Sequence, residues 1–373
     1  MHHPRAVSKD FRALAGTLTS GGGFGKPMSR RLELAVPPWP RRNSGNEMLD
    51  FYREAGSARL YSIKERTGGV EAFVATSAGT RSICNDPGVY GLEYTEKLRR
   101  TCADVLRAFS GVFPEREAVV VNILRGGLNF GLREALGEAY GWNAHTTCFM
   151  SAQRARDDGN PENWHITENS YKKVYFPARA SFVIGDVVAT GTSLRYGLQE
   201  FIETARQQKV DLRNIVFFTY GGPKAGEILA EVDAKCREVF PNYGRTILIY
   251  IEGRFTCPDT STPLTIRLTG TDLVKLGALM APEFVESQYE NPLCPIERCI
   301  IYDAGSRAFW TREYLEDVLG YWKQNLQLAV KGVSFEALLR ERCPFLDPAR
   351  FGKVDLAEIS RAQIARMEKL LEN

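Results

Sequence analysis

Five strand-sized segments, most of them apolar and separated for the most part by segments with helical periodicity, constrain the fold of this chain more than any other feature. The apolar runs are AVVVNIL (118–124), SFVIGDVV (181–188), NIVFFTYG (214–221) and TILIYIE (246–252), and HTTCFMS (145–151) is a further strand candidate. Uninterrupted apolar runs are typical of strands that are buried on both faces of a parallel sheet. The strand–helix–strand order therefore predicts an α/β fold with an open, mostly parallel sheet and helices on both faces.

The segments around these runs repeat apolar residues at spacings of three and four, which predicts amphipathic helices. The helices cover 98–109, 129–140, 194–205 and 228–239. A last, solvent-facing amphipathic helix is predicted from Asp355 onward.

The two ends of the chain differ from its middle. The first 46 residues carry eight Lys or Arg against two acids and include Gly- and Pro-rich stretches. Such a composition predicts a flexible basic arm over 1–46. We expect the main domain over 47–320 and a helical C-terminal extension over 321–373.

Charge and composition exclude several classes of function. The 48 Lys and Arg nearly balance the 45 Asp and Glu, so no global charge points to a nucleic acid or a membrane surface. The apolar runs are too short to span a membrane. The eight cysteines form no C-x-x-C pair and only four histidines are present, which argues against a zinc site, a disulfide framework and a Ser-His-Asp hydrolase. We expect reduced thiols, a cytoplasmic protein and no metal held by protein ligands.

A polar turn follows the run at 181–188. It consists of Ala189, Thr190, Gly191, Thr192 and Ser193. Because it opens a predicted helix, its amide N–H groups suit an anion, while the glycine permits close approach and the hydroxyls can donate. Asp186 just upstream suits the hydroxyls of a sugar, so the stretch predicts a cradle for a phosphorylated sugar. A capped helix after a strand that ends in an acid is an equally compatible interpretation.

A second turn, Arg125-Gly126-Gly127, follows the run at 118–124. Paired glycines expose backbone N–H groups and arginine adds a fixed charge, which suits a second anion such as a pyrophosphate. The alternative is a Gly-rich turn that carries a surface arginine.

The segment 152–176 is long, polar and charged, as mobile lids often are. Its cations are Arg154, Arg156, Lys172 and Lys173. They are candidates to close over a polyanion, and an ordinary solvated loop is the alternative.

In this order the motifs resemble those of the type I phosphoribosyltransferases, and most closely those of the uracil phosphoribosyltransferases. The matching stretches are ILRGGL (123–128), RDD (156–158), DVVATGTS (186–193) and YDAGSR (302–307), within a resemblance that covers roughly 90–310. The resemblance implies a type I phosphoribosyltransferase-like fold and the transfer of phosphoribose from phosphoribosyl pyrophosphate (PRPP) to a nitrogen of a pyrimidine-like or related heterocycle, with release of pyrophosphate. It also implies Mg²⁺ bound through that pyrophosphate and a homodimer.

The resemblance assigns a role to each candidate residue. Residues 189–193 bind the 5′-phosphate, and Asp186 binds the ribose hydroxyls. Arg125, Gly126 and Gly127 hold the pyrophosphate. Arg156 closes the lid together with Lys172 and Lys173. The acceptor base faces Asp303, Ala304 and Gly305.

Two departures from the family pattern leave other functions open. Gly185 stands where the superfamily has the first of two adjacent acids, and the uracil enzymes keep that first acid and lack the second. About fifty residues separate TILIYIE from YDAGSR, more than in the uracil enzymes, so the acceptor need not be uracil. The alternatives are a non-catalytic regulatory protein that senses PRPP or a nucleotide on the same fold, and a hydrolase or isomerase that acts on a phosphosugar.

Overall fold

A computed structural model describes residues 48–157, 160–168, 170–268 and 271–372, without the side chains of 153–165 and 168. The predicted arm over 1–46 lies outside the described residues. Twelve strands are present in the described part of the chain. They are β1 (Leu49–Ala55), β2 (Ala58–Ile63), β3 (Val70–Thr76), β4 (Ala118–Leu124), β5 (Thr146–Ser151), β6 (Gln153–Asp157), β7 (Asn160–Glu168), β8 (Lys172–Lys173), β9 (Arg179–Val188), β10 (Asp211–Gly221), β11 (Arg245–Thr256) and β12 (Val274–Met280).

The helices of the described residues lie mainly between and after these strands. They are α1 (Ala78–Asn85), α2 (Gly91–Ala108), α3 (Leu132–Tyr140), α4 (Thr192–Gln207), α5 (Pro223–Val239), α6 (Pro282–Ser287), α7 (Leu293–Ile296), α8 (Ala304–Phe309), α9 (Thr311–Val330), α10 (Phe335–Arg342) and α11 (Leu356–Glu372). Short 3-10 helices add Glu115–Glu117, Gly126–Phe130 and Pro348–Phe351.

The main sheet confirms the predicted α/β class. Its strand order is β1-β2-β3-β11-β10-β9-β4-β5-β8, and β12 also pairs with β11. The five predicted strands are β4, β5, β9, β10 and β11, and all of them pair in parallel. Consecutive residues of β4 and β9 are buried, so both faces of the sheet's centre are covered.

The polar segment 152–176 is not one long loop. Its strands β6 and β7 form an antiparallel hairpin, and β8 pairs with β5 at the edge of the main sheet. The stretch Gln153–Asp157 has a single apolar residue among polar and charged ones, so its sequence does not distinguish a hairpin strand from a loop.

The C-terminal helices build a second hydrophobic cluster. Trp322 of α9, Leu338 of α10 and Met367 of α11 are fully buried in it, together with Ile296. The helix predicted from Asp355 is confirmed as α11, but one of its sides packs against α9 instead of facing solvent. The predicted boundary between residues 320 and 321 falls inside α9.

Within the described residues, neither membrane-spanning helices nor disulfide bonds are found. No helix in the described part of the chain combines the length and apolarity needed to cross a bilayer. None of the eight cysteines forms a disulfide bond, and seven of them are buried.

Candidate functional site

Strand order brings the two predicted anion-binding turns to one edge of the sheet. Strands β4 and β9 are neighbours, with Val121 opposite Ile184, so the turns that follow them emerge side by side. A cavity of about 330 Å³ lies at this carboxyl edge. The predicted site residues that line it are Arg125, Gly126, Asp186, Ala189, Gly191, Ser193, Asp303, Ala304 and Gly305.

The two turns touch each other at Gly126 and Asp186. A Cβ atom built on Gly126 would lie only 2.1 Å from Oδ1 of Asp186, so no side chain fits at position 126. Asp186 is 9% exposed, and its Oδ1 accepts a hydrogen bond from the amide of Val187 at 2.9 Å. The predicted pyrophosphate turn and the predicted ribose carboxylate are therefore direct neighbours.

The turn at 189–193 leaves the start of α4 open. Gly191 is the N-cap residue with φ 77°, a left-handed conformation that glycine adopts readily, and no described side chain caps this helix. A Cβ on Gly191 would lie 2.3 Å from Cδ1 of Ile228, so α5 holds the turn closely from behind. Thr190 and Thr192 bring their hydroxyls to 3.4 Å from each other. Amides at such a helix start are suited to an anion.

Arg125 is held by an aromatic ring. Its guanidinium carbon lies 3.8 Å from the centroid of the Trp310 ring, a cation–π arrangement. The peptide bond between Leu124 and Arg125 is cis. Trp310 was not predicted as a site residue, because only the folding of α8 brings it beside a turn far away in sequence. The ring limits the directions in which the arginine can point.

Close packing explains why position 185 is a glycine. A Cβ atom at this position would lie 2.5 Å from Cγ of Phe130, whose ring is completely buried. Phe130 ends the 3-10 helix that follows the Arg125 turn. The ring therefore occupies the space that a second acid beside Asp186 would need.

The segment predicted to face the acceptor is built around a helix start. Oδ1 of Asp303 accepts a hydrogen bond from the amide of Ser306 at 2.6 Å and so caps α8, while the Asp303 side chain remains exposed. Tyr302, with φ 59°, is buried and its hydroxyl donates to Glu297. Trp322 of α9 donates from Nε1 to the other oxygen of Glu297 at 3.1 Å. The C-terminal helices thus support the wall of the cavity.

Burial of these groups shifts their titration. Desolvation raises the pKa of Glu297, against the lowering effect of the hydrogen bond from Tyr302. Desolvation also raises the pKa of Tyr302 well above its ordinary value, so the tyrosine stays a neutral donor.

Part of the wall comes from the long segment between β11 and α8. Thr271 lines the cavity, and the adjacent Asp272 forms an ion pair with Arg298 at 3.0 Å, in which both side chains are nearly buried. Thr271 and Ala152 were not predicted as site residues because no local pattern distinguishes them, and Tyr302 was quoted only as part of the YDAGSR stretch, without a role.

Five further predicted residues whose side chains or backbone are described do not line the cavity: Gly127, Lys172, Lys173, Thr190 and Thr192. Lys172 and Lys173 form the edge strand β8, and Nζ of Lys172 pairs with Glu200 at 3.1 Å. Gly127 is buried in the 3-10 helix behind the turn. Arg156 belongs to β6, and its side chain, like that of Arg154, lies outside the described part of the structure.

Comparison with known proteins places the chain in no family. No protein-family model and no curated protein matches it. Among solved structures, it is similar to a hypoxanthine-guanine phosphoribosyltransferase from Bacillus anthracis, solved with a HEPES molecule in the active site. The two are 18% identical, the match covers 35% of this chain and 70% of that chain, and the TM-score is 0.24. So low a TM-score carries no argument about function.

Proposed function

We propose that the chain is a PRPP-dependent phosphoribosyltransferase that moves phosphoribose to a nitrogen of a pyrimidine-like or related heterocycle and releases pyrophosphate. The observation that carries the proposal is the contact between the Gly126 turn and Asp186, beside the open start of α4 in one cavity. Two turns that suit anions, with a carboxylate in the same cavity, match a substrate with a phosphate, a ribose and a pyrophosphate.

The proposed reaction requires mainly that the protein positions the substrate and stabilises the charge that develops on the leaving group. Departure of pyrophosphate leaves positive charge on the ribose and builds negative charge on the leaving group. In the proposal the turn at 189–193 holds the 5′-phosphate, Asp186 accepts from the ribose hydroxyls, and Arg125 stabilises the departing pyrophosphate. Fixing both ends of the substrate lowers the entropic part of the barrier.

Magnesium fits this scheme as a companion of the substrate. Among the described residues no group of three or more His, Cys, Asp or Glu is placed to hold a metal ion. Asp186 and the helix cap Asp303 are the carboxylates among the described residues that line the cavity. Mg²⁺ would therefore be carried mainly by the pyrophosphate oxygens, where it neutralises charge.

The acceptor is proposed to lie against Thr271 and the segment 302–305. Thr271 comes from the stretch that lengthens this side of the cavity. A wall with a contribution from that stretch supports a heterocycle other than uracil itself.

A non-catalytic sensor of PRPP or a nucleotide is the second candidate. The Phe130 ring beside Gly185 favours it, because one of the superfamily's two acids cannot be accommodated there. A sensor would bind PRPP and release no pyrophosphate.

Pyrophosphate release from PRPP and Mg²⁺, measured with a panel of pyrimidine and purine bases, separates the two candidates. Arg125→Ala is expected to lower turnover by roughly 10²–10³, as loss of one electrostatic donor does. Arg133→Ala is the matched control, because its side chain is 68% exposed and lies on α3 outside the cavity. An unchanged rate in Arg125→Ala would remove this arginine from the mechanism.

Calorimetry tests the ribose assignment. Asp186→Asn is expected to weaken PRPP binding, since the amide is a poorer acceptor than a carboxylate for two hydroxyls. Unchanged affinity would refute the role of Asp186. If the wild-type chain neither binds PRPP nor releases pyrophosphate with any base, the transferase and the PRPP sensor are both wrong, and a sensor requires that a nucleotide binds instead.

A further inference from the structure

A second cavity, of about 300 Å³, lies between α1, the segment before α7 and the C-terminal helix α11. It shares no lining residue with the candidate site. Its polar lining includes Arg81, Asn85, Asp86, Glu290, Gln363 and Arg366.

Gln363 is the buried polar group of this cavity. The residue is 2% exposed, yet its Oε1 accepts no hydrogen bond from any residue that the structure describes. A buried carbonyl oxygen without a donor is unfavourable, and native proteins rarely retain one without a bound partner. Gln363 itself lines the cavity, and because an amide can be turned so that its oxygen and nitrogen exchange places, this oxygen can face a ligand there and accept from its donor.

Two charged side chains of the cavity form no salt bridge within the described residues, although the charge of Arg81 lies near enough to the buried Glu252 to oppose the rise in the pKa of that carboxyl that desolvation causes. Arg81 donates from Nη1 to the hydroxyl of Thr76 at 2.9 Å, and it forms no ion pair within the described residues. Glu290 forms none there either. By contrast, Arg366 and Asp86 neutralise each other, with a shortest distance of 2.8 Å. The cavity thus presents one available cation and one available anion.

The wall between these groups is held in place. Asn85 donates to Ser287 at 2.9 Å and accepts from Gln288 at 2.8 Å. Gln288 in turn accepts from the buried Lys275 at 3.1 Å. Side chains fixed in this way form a built site and not a chance gap between helices.

We propose that this second cavity binds a small metabolite that carries an anionic group, carboxylate or phosphate, together with an N–H donor. The anionic group meets Arg81, and the N–H donor meets Oε1 of Gln363 and the carboxylate of Glu290. An amino acid and a nucleoside monophosphate both have this chemistry. This proposal does not depend on the proposed transferase reaction. The two cavities share no lining residue, and the test measures binding and not turnover.

Saturation-transfer NMR and calorimetry on the full chain test the proposal. One arm uses the proteinogenic amino acids and the other uses the nucleoside 5′-monophosphates, each at about 1 mM. At least one compound is expected to bind, and Gln363→Leu and Arg81→Gln are each expected to weaken it by at least about tenfold. Arg361→Gln, exposed on the same helix, is expected to leave the affinity unchanged.

The arms also identify the source of the anionic group. Binding in the first arm alone assigns a carboxylate, and binding in the second alone assigns a phosphate. The proposal is overturned if no compound binds. It is also overturned if the binding that is found responds to Arg125→Ala and not to Gln363→Leu, which would place the ligand in the first cavity. Gln363→Leu removes an unsatisfied group, so loss of folding is not expected to obscure the result.

Discussion

Gly185 and Phe130 show how a single packing contact can exclude a side chain from the candidate site. The glycine lies on β9 directly before Asp186, and the phenylalanine ring leaves no space for a Cβ atom there. From the sequence alone Gly185 was only a missing acid. Its partner lies more than fifty residues away in the chain, so no local pattern revealed the packing.

Gly185→Ala is expected to lower the free energy of unfolding by about 1–3 kcal/mol, because the added methyl overpacks a closed core. Denaturant unfolding measures the change. Gly320→Ala is the matched control, since nothing lies within 4 Å of its Cβ position in α9. The control is expected to be slightly stabilising, by about 0.4–1 kcal/mol. Equal changes in the free energy of unfolding for the two substitutions would show that the Phe130 ring can move aside without loss of stability.

Glu252 is a buried carboxylate in the second half of β11. It is fully buried with φ 62° and accepts hydrogen bonds from the Thr76 hydroxyl at 2.6 Å and the Ser77 amide at 3.1 Å, as well as from the Thr80 hydroxyl. Desolvation outweighs these bonds and raises the pKa of Glu252 to about 7. This side chain ties β11 to the start of α1.

The raised pKa predicts a pH-dependent stability. Between the ordinary carboxyl pKa and about 7 the folded chain keeps a proton that the unfolded chain releases, so the free energy of unfolding falls as pH rises and then levels off. The fall amounts to about 3 kcal/mol. Glu252→Gln is expected to remove this part of the slope. Urea midpoints of both proteins from acid to neutral pH provide the measurement, and parallel curves would contradict the assignment.

At the scale of elements, the strands that could be predicted are those with an uninterrupted apolar run. Strands β4, β9 and β10 are of this kind. Strand β1 was not assigned, since most of its side chains are exposed and it carries no apolar run. Helix α3 begins at Leu132, later than predicted, because Gly131 adopts a left-handed conformation that ends the preceding 3-10 helix.

The parts of the candidate site that could be predicted are those formed by residues that are contiguous in sequence. The turns at 125–127 and 189–193 and the segment 303–305 each follow a local pattern, and the structure brings them together. Trp310 beside Arg125 and Thr271 in the wall depend on contacts between distant segments. Their roles required the folded chain.

Trp322 links the C-terminal helices to the cavity wall through Glu297. Trp322→Phe is expected to lower the free energy of unfolding by about 1–3 kcal/mol, because it leaves a buried carboxylate oxygen without its donor. Denaturant midpoints give the change. Lys323→Ala, next along the helix with a side chain 52% exposed, is the control and is expected to have almost no effect. A loss confined to the control would refute the role of Trp322.

At the scale of the whole molecule, the described residues bury their apolar side chains in two hydrophobic clusters. The larger surrounds the sheet, and the smaller joins the C-terminal helices to Ile266, Ile296 and Tyr302. The smaller cluster therefore belongs structurally to the wall of the candidate site. The sequence predicted a helical extension, but the contacts across it are long-range and were not predictable.

A chain that ends at residue 320 is expected to lose cooperative unfolding, because it exposes the remaining half of the smaller cluster to water. Near-ultraviolet circular dichroism and binding of a hydrophobic dye measure the loss. Val330→Ala is the control for the same helix, since that side chain is 73% exposed and its removal is expected to leave the full-length chain intact. A shortened chain with the full-length midpoint would show that the extension is dispensable.

The close fit of Phe130 against Gly185 also bears on how this chain can evolve. A carboxylate at 185 has no room until residue 130 has lost its ring, and a small residue at 130 leaves a void until 185 has grown. A substitution at either position alone is therefore expected to lower the stability of the fold. Homologues of this chain are therefore expected to combine glycine at 185 with an aromatic residue at 130, or an acid at 185 with a small residue at 130. Selection is expected to remove the other combinations.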